Sequence, residues 1–585
     1  MSIVFRNALK NHEFCSSMEI RWKAKPVPNS EIVAKLSAEI NVSEAIATIL
    51  VQRGIDTFDK AKAYFRPQLS DLHDPFLLKD MDLAYNRIKK AVNKKEKMMV
   101  YGDYDVDGTT AVSIVYSYFV TLNPDIEYYI PDRYKEGYGI SKIGIDYAYE
   151  NGISLIIALD CGIRSNELVD YANELGIDFI ICDHHLPGDT IPKAHAILNP
   201  KRRDCTYPYK ELSGAGIGFK LVQAYSKKEG FPEDKILEYI DLVAVSIASD
   251  MVDMQGENRV LAYFGLKKLN ENPSAGLQAL IEVGPKKKTY SIQDIIFGIG
   301  PKINAAGRIS DAKAAVRVLI EKEYTTARQL TRVLNERNTE RKELDNDITK
   351  NAVEMVESTL GMSERKSIVI RGEAWHKGVI GIVASRMVEQ FYKPTIVFSQ
   401  NDGMLTGSAR SVKNFDIHEA ITECAQWVEQ FGGHKYAAGL SIKAENFDSF
   451  SEQFESVVVR DIEEASLLPE VEYDLDISLQ ALTPKFLDLI NQMSPFGPGN
   501  TLPIFHSKEL RSNNSPRVLK DRHLKLQISQ NSRHYFDGIG FGMSEHLPTV
   551  SNGEIFDACY CIEENDFNGQ VKLQLRLKDL KPYRG

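Results

Sequence analysis

The sequence lacks several features that would assign it to a class at once. Its seven cysteines include no C-x-x-C pair, which argues against a structural zinc site, and their odd number and scattered spacing argue against a disulfide framework. No apolar run approaches the roughly 20 residues that a membrane-spanning helix needs, and the first residues lack a basic segment followed by an apolar core. We therefore predict a cytoplasmic protein without a membrane partner.

A large excess of basic residues is also missing. The formal net charge is −10, from 71 Lys and Arg against 81 Asp and Glu. This balance excludes a protein covered in basic surface, but it permits one local basic groove on an acidic body. At 585 residues, with 43% hydrophobic and 26% charged residues, the chain has the composition of an ordinary globular protein with several domains.

Apolar runs alternate with stretches of helical periodicity in the first part of the chain. The runs are MMVYG (98–102), IEYYI (126–130), ISLIIAL (153–159) and DFIIC (178–182). Helical stretches such as 109–121 and 165–175 separate them. The alternation predicts an α/β domain with a parallel sheet, in which ligands bind at the carboxyl ends of the strands. Polar residues just after each run are therefore candidate ligands.

Carboxylates and histidines follow the apolar runs of this region. They are Asp103, Asp105 and Asp107 after MMVYG, Asp160 after ISLIIAL, Asp183, His184 and His185 after DFIIC, and Asp250 and Asp253 after VAVSIAS. Carboxylates held a few ångströms apart repel each other unless their pKa values rise or a cation neutralises them. Oxygen ligands with one or two imidazoles suit Mn²⁺ or Mg²⁺. Two such ions about 3.5–4 Å apart can serve phosphoester hydrolysis.

Simpler explanations exist for each of these motifs. DYDVDG could be a helix-capping turn or a calcium loop, since D-x-D-x-D-G begins like an EF-hand. An EF-hand loop needs a carboxylate at its twelfth position, and this sequence has none there. Paired histidines are more often an ordinary surface or core feature. The joint occurrence of the motifs at successive strand ends nevertheless favours a metal site with two ions.

The motifs GDYDVDGTTA, LDCG, DHH and IASDMVD, in this order, resemble those of the DHH phosphoesterase superfamily. Longer phrases are similar to bacterial exonucleases that degrade single-stranded DNA from its 5′ end. These are YIPDRYKEGYGIS, GPKINAAGRISDA, HKGVIGIVASRM, GSARS, FGGHKYAAGLSI and PFGPGNTLPIF. The resemblance, which runs from about Trp22 onwards, implies a metal-dependent 5′-to-3′ exonuclease that releases nucleoside monophosphates in DNA repair and recombination. A helicase and a single-strand-binding protein would be its protein partners.

The resemblance also implies roles for individual residues. The implied metal ligands are Asp103, Asp105, Asp107, Asp160, His184 and Asp250. Asp160 would bridge the two ions and His185 would face the scissile phosphate, so that these two residues and Asp105 form the expected catalytic set. Asp107 either binds a metal itself or orients the ligands.

Two positions depart from the superfamily pattern. Relatives such as pyrophosphatases carry a histidine four positions before the first aspartate, where this chain has Met99. This predicts one metal site with fewer protein ligands. Relatives often carry proline where this chain has Asp253, and we expect Asp253 to be structural.

A second group of residues predicts an anion pocket. Its expected members are Arg133, Arg308, Ser408, Arg410, Gly432, Gly433 and His434. The paired glycines form a backbone that can approach a phosphate closely and donate N–H groups, although such a pair is often only a turn. The arginines and the serine, which lie in IPDRYKEGYG, NAAGR and GSARS, favour the pocket over the turn.

The sequence divides into five regions. The periodicity predicts a helical region (1–70), one long helix that bridges two domains (324–362) and an antiparallel β-barrel (466–585). The resemblance implies that residues 71–323 are the DHH catalytic domain, that the smaller α/β domain (363–465) is the DHH-associated domain DHHA1, and that the barrel is an OB fold that binds nucleic acid. Aromatic residues of the last region are candidates for base stacking, although most such residues belong to a core; they are Tyr535, Phe536, Phe541, Tyr560 and Phe567. A groove between the two α/β domains is expected to admit one strand but not a duplex.

Two other functions fit parts of the pattern. One is a superfamily hydrolase for a small substrate such as pyrophosphate, a cyclic dinucleotide or very short RNA. The barrel and the long helix argue against it, because a small substrate needs no platform that follows a strand. The other is a replication or repair scaffold without activity, but degenerate relatives of that kind lose the metal ligands that this chain keeps.

Overall fold

The computed structural model describes residues 19–309, 311–362, 364–513, 515–531, 534–551, 553–567 and 570–584. They form two compact units. The first unit comprises Asp59–Glu340 together with Met493–Thr501. The second unit comprises the described residues up to Phe58, Arg341–Gln492 and the described residues from Leu502 onwards. Residues 1–18, which begin the predicted N-terminal helical region, lie outside the described residues.

The strands and helices are numbered in chain order. The strands are β1 (Arg21–Ala24), β2 (Met98–Gly102), β3 (Ile126–Tyr129), β4 (Leu155–Leu159), β5 (Asp178–Cys182), β6 (Ala196–Leu198), β7 (Ile368–Glu373), β8 (Thr395–Asn401), β9 (Met404–Arg410), β10 (Val428–His434), β11 (Ala437–Lys443), β12 (Glu470–Tyr473), β13 (Leu475–Asp476), β14 (Phe505–Ser512), β15 (Arg517–Leu519), β16 (His523–Ser529), β17 (Phe536–Gly540), β18 (Ile555–Phe567) and β19 (Gln570–Pro582). The helices are α1 (Ser30–Ile40), α2 (Glu44–Gln52), α3 (Phe58–Phe65), α4 (Met81–Lys94), α5 (Val106–Phe119), α6 (Lys142–Glu150), α7 (Asn166–Glu174), α8 (Gly214–Glu229), α9 (Asp234–Leu237), α10 (Ile240–Asp250), α11 (Gly256–Glu271), α12 (Ala275–Glu282), α13 (Ile292–Asp294), α14 (Gly300–Ile309), α15 (Lys313–Ile320), α16 (Tyr324–Ser358), α17 (Ile380–Phe391), α18 (Ile417–Thr422), α19 (Phe447–Asp461), α20 (Pro484–Gln492) and α21 (Leu547–Val550).

The first unit is built on a five-stranded parallel sheet in the order β3-β2-β4-β5-β6. Alternate residues of β2 enter two apolar layers: Met98 and Val100 pack on the side of α5 and α8, and Met99 and Tyr101 on the side of α6 and α7. Helices therefore cover both faces, as expected for buried parallel strands. The predicted parallel α/β domain is confirmed, and Met99 serves as a core residue of the sheet.

The second unit contains two larger sheets. The sheet β10-β11-β9-β8-β7 is mixed, because β7 and β8 are parallel and the other neighbours are antiparallel. The sheet β13-β14-β18-β19-β17-β16-β15 closes partly on itself, because β14 also pairs with β16. Most of its pairs are antiparallel, as predicted for the barrel, but β13–β14 and β17–β19 are parallel.

The remaining features of the fold are the long helix α16, a small two-stranded sheet and the placement of residues 493–501. α16 runs without interruption from Tyr324 to Ser358, as its lack of Gly and Pro predicts. β1 forms a small parallel sheet with β12. The nine residues 493–501 group with the first unit although they fall within the range predicted for the barrel, 466–585. No helix among the described residues is long and apolar enough to cross a membrane.

Candidate metal centre

The parallel register brings three aspartates to one edge of the first unit's sheet. Gly102, Leu159 and Cys182 end β2, β4 and β5, and Leu159 on the middle strand is paired with both of the others. The next residue on each strand is an aspartate, namely Asp103, Asp160 and Asp183. Asp160 has a φ of 59° in the left-handed region, which costs roughly 1–2 kcal/mol for a residue other than glycine. Such strain is typical of functional sites.

Two helix N-termini hold the remaining carboxylates of the first motif. Asp105 is the N-cap of α5 and accepts a hydrogen bond from the Gly108 N–H at 2.9 Å. Asp107 accepts hydrogen bonds of 2.7 Å from the N–H groups of Gly214 and Ala215, at the start of α8, and from the Ser246 hydroxyl. Helix N-termini stabilise negative charge, so this arrangement helps to hold two carboxylates close together.

His184 lies at the centre of the acidic cluster. Its Nε2 is 3.2 Å from Asp160 Oδ1, 3.5 Å from Asp250 Oδ2 and 3.7 Å from Asp107 Oδ2. Two groups have ligand atoms within 4.8 Å of one another, one of Asp160, His184 and His185 and the other of Asp107, His184 and Asp250. The structure thus brings Asp107 into a possible ligand set. Among the described residues, the expected ligands Asp103 and Asp105 belong to neither group, and nor does Asp253.

The electrostatics of the cluster favour a bound cation. Burial, followed by repulsion from Asp105, raises the pKa of Asp103 to about 8. Burial and repulsion from Asp107 raise the pKa of Asp250 to about 8 and raise the pKa values of Asp105 and Asp160. Burial lowers the pKa of His184, which favours the neutral imidazole that binds metals.

Unsatisfied oxygen atoms point to the same conclusion. Within the described part of the chain, the buried Oδ1 atoms of Asp103 and Asp160 accept no hydrogen bond of acceptable geometry. Buried carboxylate oxygens normally have a partner, because desolvation is expensive. Carboxylates with an adjacent neutral imidazole suit Mn²⁺ or Mg²⁺. The residues therefore fit a divalent cation.

His185 is oriented by two neighbours. Asp183 Oδ1 lies 2.7 Å from His185 Nδ1, and Asp183 Oδ2 accepts the Ile163 N–H at 2.9 Å. Burial alone would lower the pKa of His185, but the hydrogen bond to Asp183 raises it overall. The Tyr138 hydroxyl lies 3.3 Å from His185 Nε2 and donates to the Asp160 carbonyl at 3.2 Å. These contacts fix the imidazole beside the cluster.

Sequence reasoning missed several residues of this site. Tyr138 lies in the quoted phrase YIPDRYKEGYGIS, where a tyrosine between glycines was the available signal. Ser246 precedes Asp250 by one helical turn of α10, and Gly214 opens α8 in the small-residue run SGAGIG. A Cβ atom at Gly214 would lie 2.7 Å from Asp160 Cβ. Only glycine at position 214 lets α8 approach Asp160 this closely without displacing either of them.

The expected anion-pocket residues are divided between the two units. In the first unit, the Arg133 guanidinium lies 4.9 Å from the centre of the Tyr104 ring, and α14 brings Arg308 to the same edge because Gly307 abuts the Tyr104 carbonyl. In the second unit, β9, β11 and β10 align Ser408 with Gly432 and align Arg410 with His434.

The glycine pair of the pocket lies in a strand rather than in a turn. Gly432 and Gly433 belong to β10. Gly433 has a φ of 151°, and a Cβ there would lie 2.4 Å from the Ala437 carbonyl oxygen. A Cβ at Gly381, in the first turn of α17, would lie 3.0 Å from Ser408 Oγ and 3.1 Å from Arg410 Nη2. Ser408 and Arg410 are thus next to a helix N-terminus, where anions are favoured.

The barrel aromatics differ in their exposure. Tyr560 is fully buried in the core of the barrel, so it cannot stack on a base. The side chains of Tyr535 and Phe541 are 51% and 41% exposed, and Phe536 is half-buried. The side chain of Phe567 lies outside the described residues.

Comparison with known proteins defines the class of this site. Family models match residues 97–247 as the DHH family N-terminal domain, 364–460 as the DHHA1 domain and 473–579 as the RecJ OB domain. With its carboxylate and histidine cluster at the edge of a parallel sheet, the chain is a DHH-type phosphoesterase.

Two sequence relatives and one solved structure identify the family within this class. The chain is 34% identical over 565 residues to the single-stranded-DNA-specific exonuclease RecJ of Bacillus subtilis, covering 96% of this chain and 71% of that one. It is 32% identical to RecJ of Escherichia coli, covering 86% and 90%. A crystal structure of RecJ in complex with Mn²⁺ from Thermus thermophilus matches with a TM-score of 0.83 and 26% identity, over 97% of this chain and 80% of that one. The chain belongs to the RecJ family.

Proposed function

We propose that this protein is a metal-dependent exonuclease that degrades single-stranded DNA from its 5′ end and releases nucleoside monophosphates. The observation that carries the proposal is the buried cluster around His184, in which carboxylates with raised pKa values converge on one imidazole. Membership in a family of single-stranded-DNA-specific exonucleases supplies the substrate. The relative of known structure that binds Mn²⁺ supports a divalent cation as cofactor.

The residues of the cluster have distinct parts in this proposal. The six expected ligands would hold two ions of Mn²⁺ or Mg²⁺; they are Asp103, Asp105, Asp107, Asp160, His184 and Asp250. Bound divalent cations supply a water of lowered pKa and neutralise the charge that develops on the phosphate. Asp183 holds His185 through Nδ1. When protonated, as its raised pKa favours, His185 would donate from Nε2 to a phosphate oxygen in place of its contact with the Tyr138 hydroxyl. Preorganised donors of this kind stabilise transition-state charge.

The proposal also includes the cellular location of the enzyme, its pathway and its protein partners. We place the enzyme in the cytoplasm, in DNA repair and recombination, with a helicase and a single-strand-binding protein as partners. Membership in a family of single-stranded-DNA-specific exonucleases supports the role in repair and recombination. Mn²⁺-dependent release of mononucleotides from end-labelled single strands, compared with duplex and with small phosphoesters, tests the activity. Release from duplex at an equal rate, or cleavage of the small phosphoesters alone, would contradict it.

The hydroxyl group of Tyr138 is expected to contribute to the rate of DNA hydrolysis. Tyr138→Phe keeps the ring but loses the hydrogen bonds to His185 Nε2 and to the Asp160 carbonyl. A hydrogen bond of this kind is worth about 1–1.5 kcal/mol, so we expect a fall in the single-turnover rate of roughly tenfold with unchanged DNA affinity. Tyr147→Phe, which loses a hydroxyl bonded to Glu127, is the control and should be neutral. Equal rates for the two variants would exclude a role for Tyr138.

A 5′-phosphate is the terminal group that the anion pocket would bind. We propose that Arg410 and Ser408 of the second unit, with the Gly432–Gly433 backbone, read this group. Arg133 and Arg308 of the first unit are proposed separately as phosphate-binding residues. Arginine and backbone N–H donors suit a terminal phosphate with its extra charge.

Arg410→Ala is therefore expected to slow degradation of 5′-phosphorylated strands by at least tenfold more than that of 5′-hydroxyl strands. Rates on the two kinds of strand, measured side by side in Mn²⁺, check this. Lys443→Ala removes an exposed cation of β11, which pairs with Glu429, and is the control. An equal loss on both strands would mean that Arg410 only supports the fold or contacts the strand in general.

A further inference from the structure

The motif PFGPGN has no part in the chemistry described so far. It lies in residues 493–501, which we call the 493–501 segment. In the sequence it falls between two parts of the second unit, but it packs with the first unit. Within the first unit it contacts the chain that follows Asp250, and these contacts suggest a function for the motif.

Arg259 binds one end of the 493–501 segment. Its guanidinium donates to the carbonyls of Met493 at 3.0 Å, Ser494 at 3.0 Å and Pro495 at 3.3 Å. It also donates to the Tyr64 carbonyl at 2.9 and 3.1 Å. Arg259 is only 5% exposed. A buried cation is costly unless its donors are satisfied, so the position of these carbonyls is tightly constrained.

The other end of the segment lies against residues 253–255. The Met254 N–H donates to the Pro498 carbonyl at 2.7 Å, and Gln255 Nε2 donates to the Gly499 carbonyl at 2.9 Å. Gly499 has a φ of 72°, and a Cβ there would lie 1.8 Å from Asp253 Oδ1. The segment therefore leaves this part of the chain little freedom to move.

Residues 251–255 connect the metal cluster to α11. Asp250 is the last residue of α10, and α11 begins at Gly256. The side chain of Asp250 is 30% exposed, against 8% or less for His184, Asp160 and Asp107. Surrounding atoms thus enclose Asp250 less than its neighbours in the cluster. Its position depends more strongly on the short connection that follows it.

We propose that the 493–501 segment is a brace that positions Asp250 for the divalent cation, with Arg259 and Gly499 as positioning residues. The inference rests on the proposed function, since it assumes that Asp250 is a ligand. Arg259 and Gly499 are outside both ligand groups, so their effect is transmitted by residues 253–255. A purely structural segment would change stability without changing the affinity for the cation.

Gly499→Ala tests the brace, because it places a methyl group against Asp253 and strains a left-handed residue. Gly176→Ala is the matched control: Gly176 has a φ of 77°, and a Cβ there meets no atom within 4 Å. Mn²⁺ binding to the full chain, without DNA, is measured by titration calorimetry and by the electron paramagnetic resonance signal of free Mn²⁺. Thermal melting of the metal-free proteins is measured in parallel.

We expect Gly499→Ala to weaken Mn²⁺ binding at one site at least tenfold relative to Gly176→Ala, with folded melting transitions for both. Arg259→Lys keeps the charge but loses the fork that reaches the carbonyls, and it should weaken binding in the same direction. It provides the test if Gly499→Ala does not fold. If a folded Gly499→Ala or Arg259→Lys variant binds Mn²⁺ as tightly as Gly176→Ala does, the brace is overturned and the proposed function stays intact. Failure of the unmodified protein to bind Mn²⁺ would overturn both.

Discussion

Asp160→Ala is expected to abolish hydrolysis while single-strand binding remains largely intact. Asp160 Oδ1 lies 3.2 Å from His184 Nε2 and accepts no well-oriented hydrogen bond within the described chain. Burial, together with repulsion from Asp107, Asp105, Asp250 and Asp103, raises the pKa of Asp160. A carboxylate in this position can serve both ions of a two-metal site. Its loss should therefore disable both ions together.

The loss of activity is measured as the rate of DNA hydrolysis at saturating Mn²⁺. The retained affinity is measured as the binding of labelled single strands in EDTA. Asp189→Ala removes an exposed aspartate shortly after the DHH motif and is the control, with unchanged activity expected. Retention by Asp160→Ala of more than about a tenth of the rate of the unmodified protein would exclude the bridging role, since a tenfold loss corresponds to only about 1.4 kcal/mol. Loss of strand binding together with hydrolysis would show that the substitution disturbs more than the metal site.

The parts of the site that local sequence determines could be predicted. β2, β4 and β5 appear as apolar runs, and parallel strands end at one edge, so these runs predict that Asp103, Asp160 and His184 lie at one edge of the sheet. The long helix followed similarly from a stretch without Gly or Pro. Both predictions use information contained within one segment of chain.

The parts that depend on distant contacts could not be predicted. The role of Asp107 stayed open because its partners Gly214 and Ser246 are more than a hundred residues away. Tyr560 was a stacking candidate because an alternating strand does not reveal which face is covered. The grouping of the 493–501 segment with the first unit depends on carbonyl groups that Arg259 contacts, and backbone carbonyls carry no sequence signal.

Gly214→Ala is expected to lower activity by at least a hundredfold, although it introduces no charge and removes no ligand. The new Cβ would lie 2.7 Å from Asp160 Cβ and 2.9 Å from Asp160 Cγ and Oδ1. Asp160 cannot retreat easily, because its N–H is bonded to the Cys182 carbonyl at 2.9 Å. α8 cannot move away without breaking the hydrogen bond from the Gly214 N–H to Asp107 Oδ2. Either response displaces a carboxylate of the cluster.

Gly216→Ala is the matched control, because Gly216 lies on the first turn of the same helix and the nearest atoms to its Cβ would be Ser213 Oγ, at 3.3 Å, and Leu212 side-chain atoms, from 3.5 Å. Alanine is favoured over glycine within helices by about 1 kcal/mol, so neither change should destabilise α8 itself. We expect Gly216→Ala to retain nearly full activity and Mn²⁺ affinity, and Gly214→Ala to lose both while still melting as a folded protein. Activities within tenfold of each other would mean that Asp160 and α8 adjust to the methyl group, and that the close approach at Gly214 does not set the geometry of the metal centre.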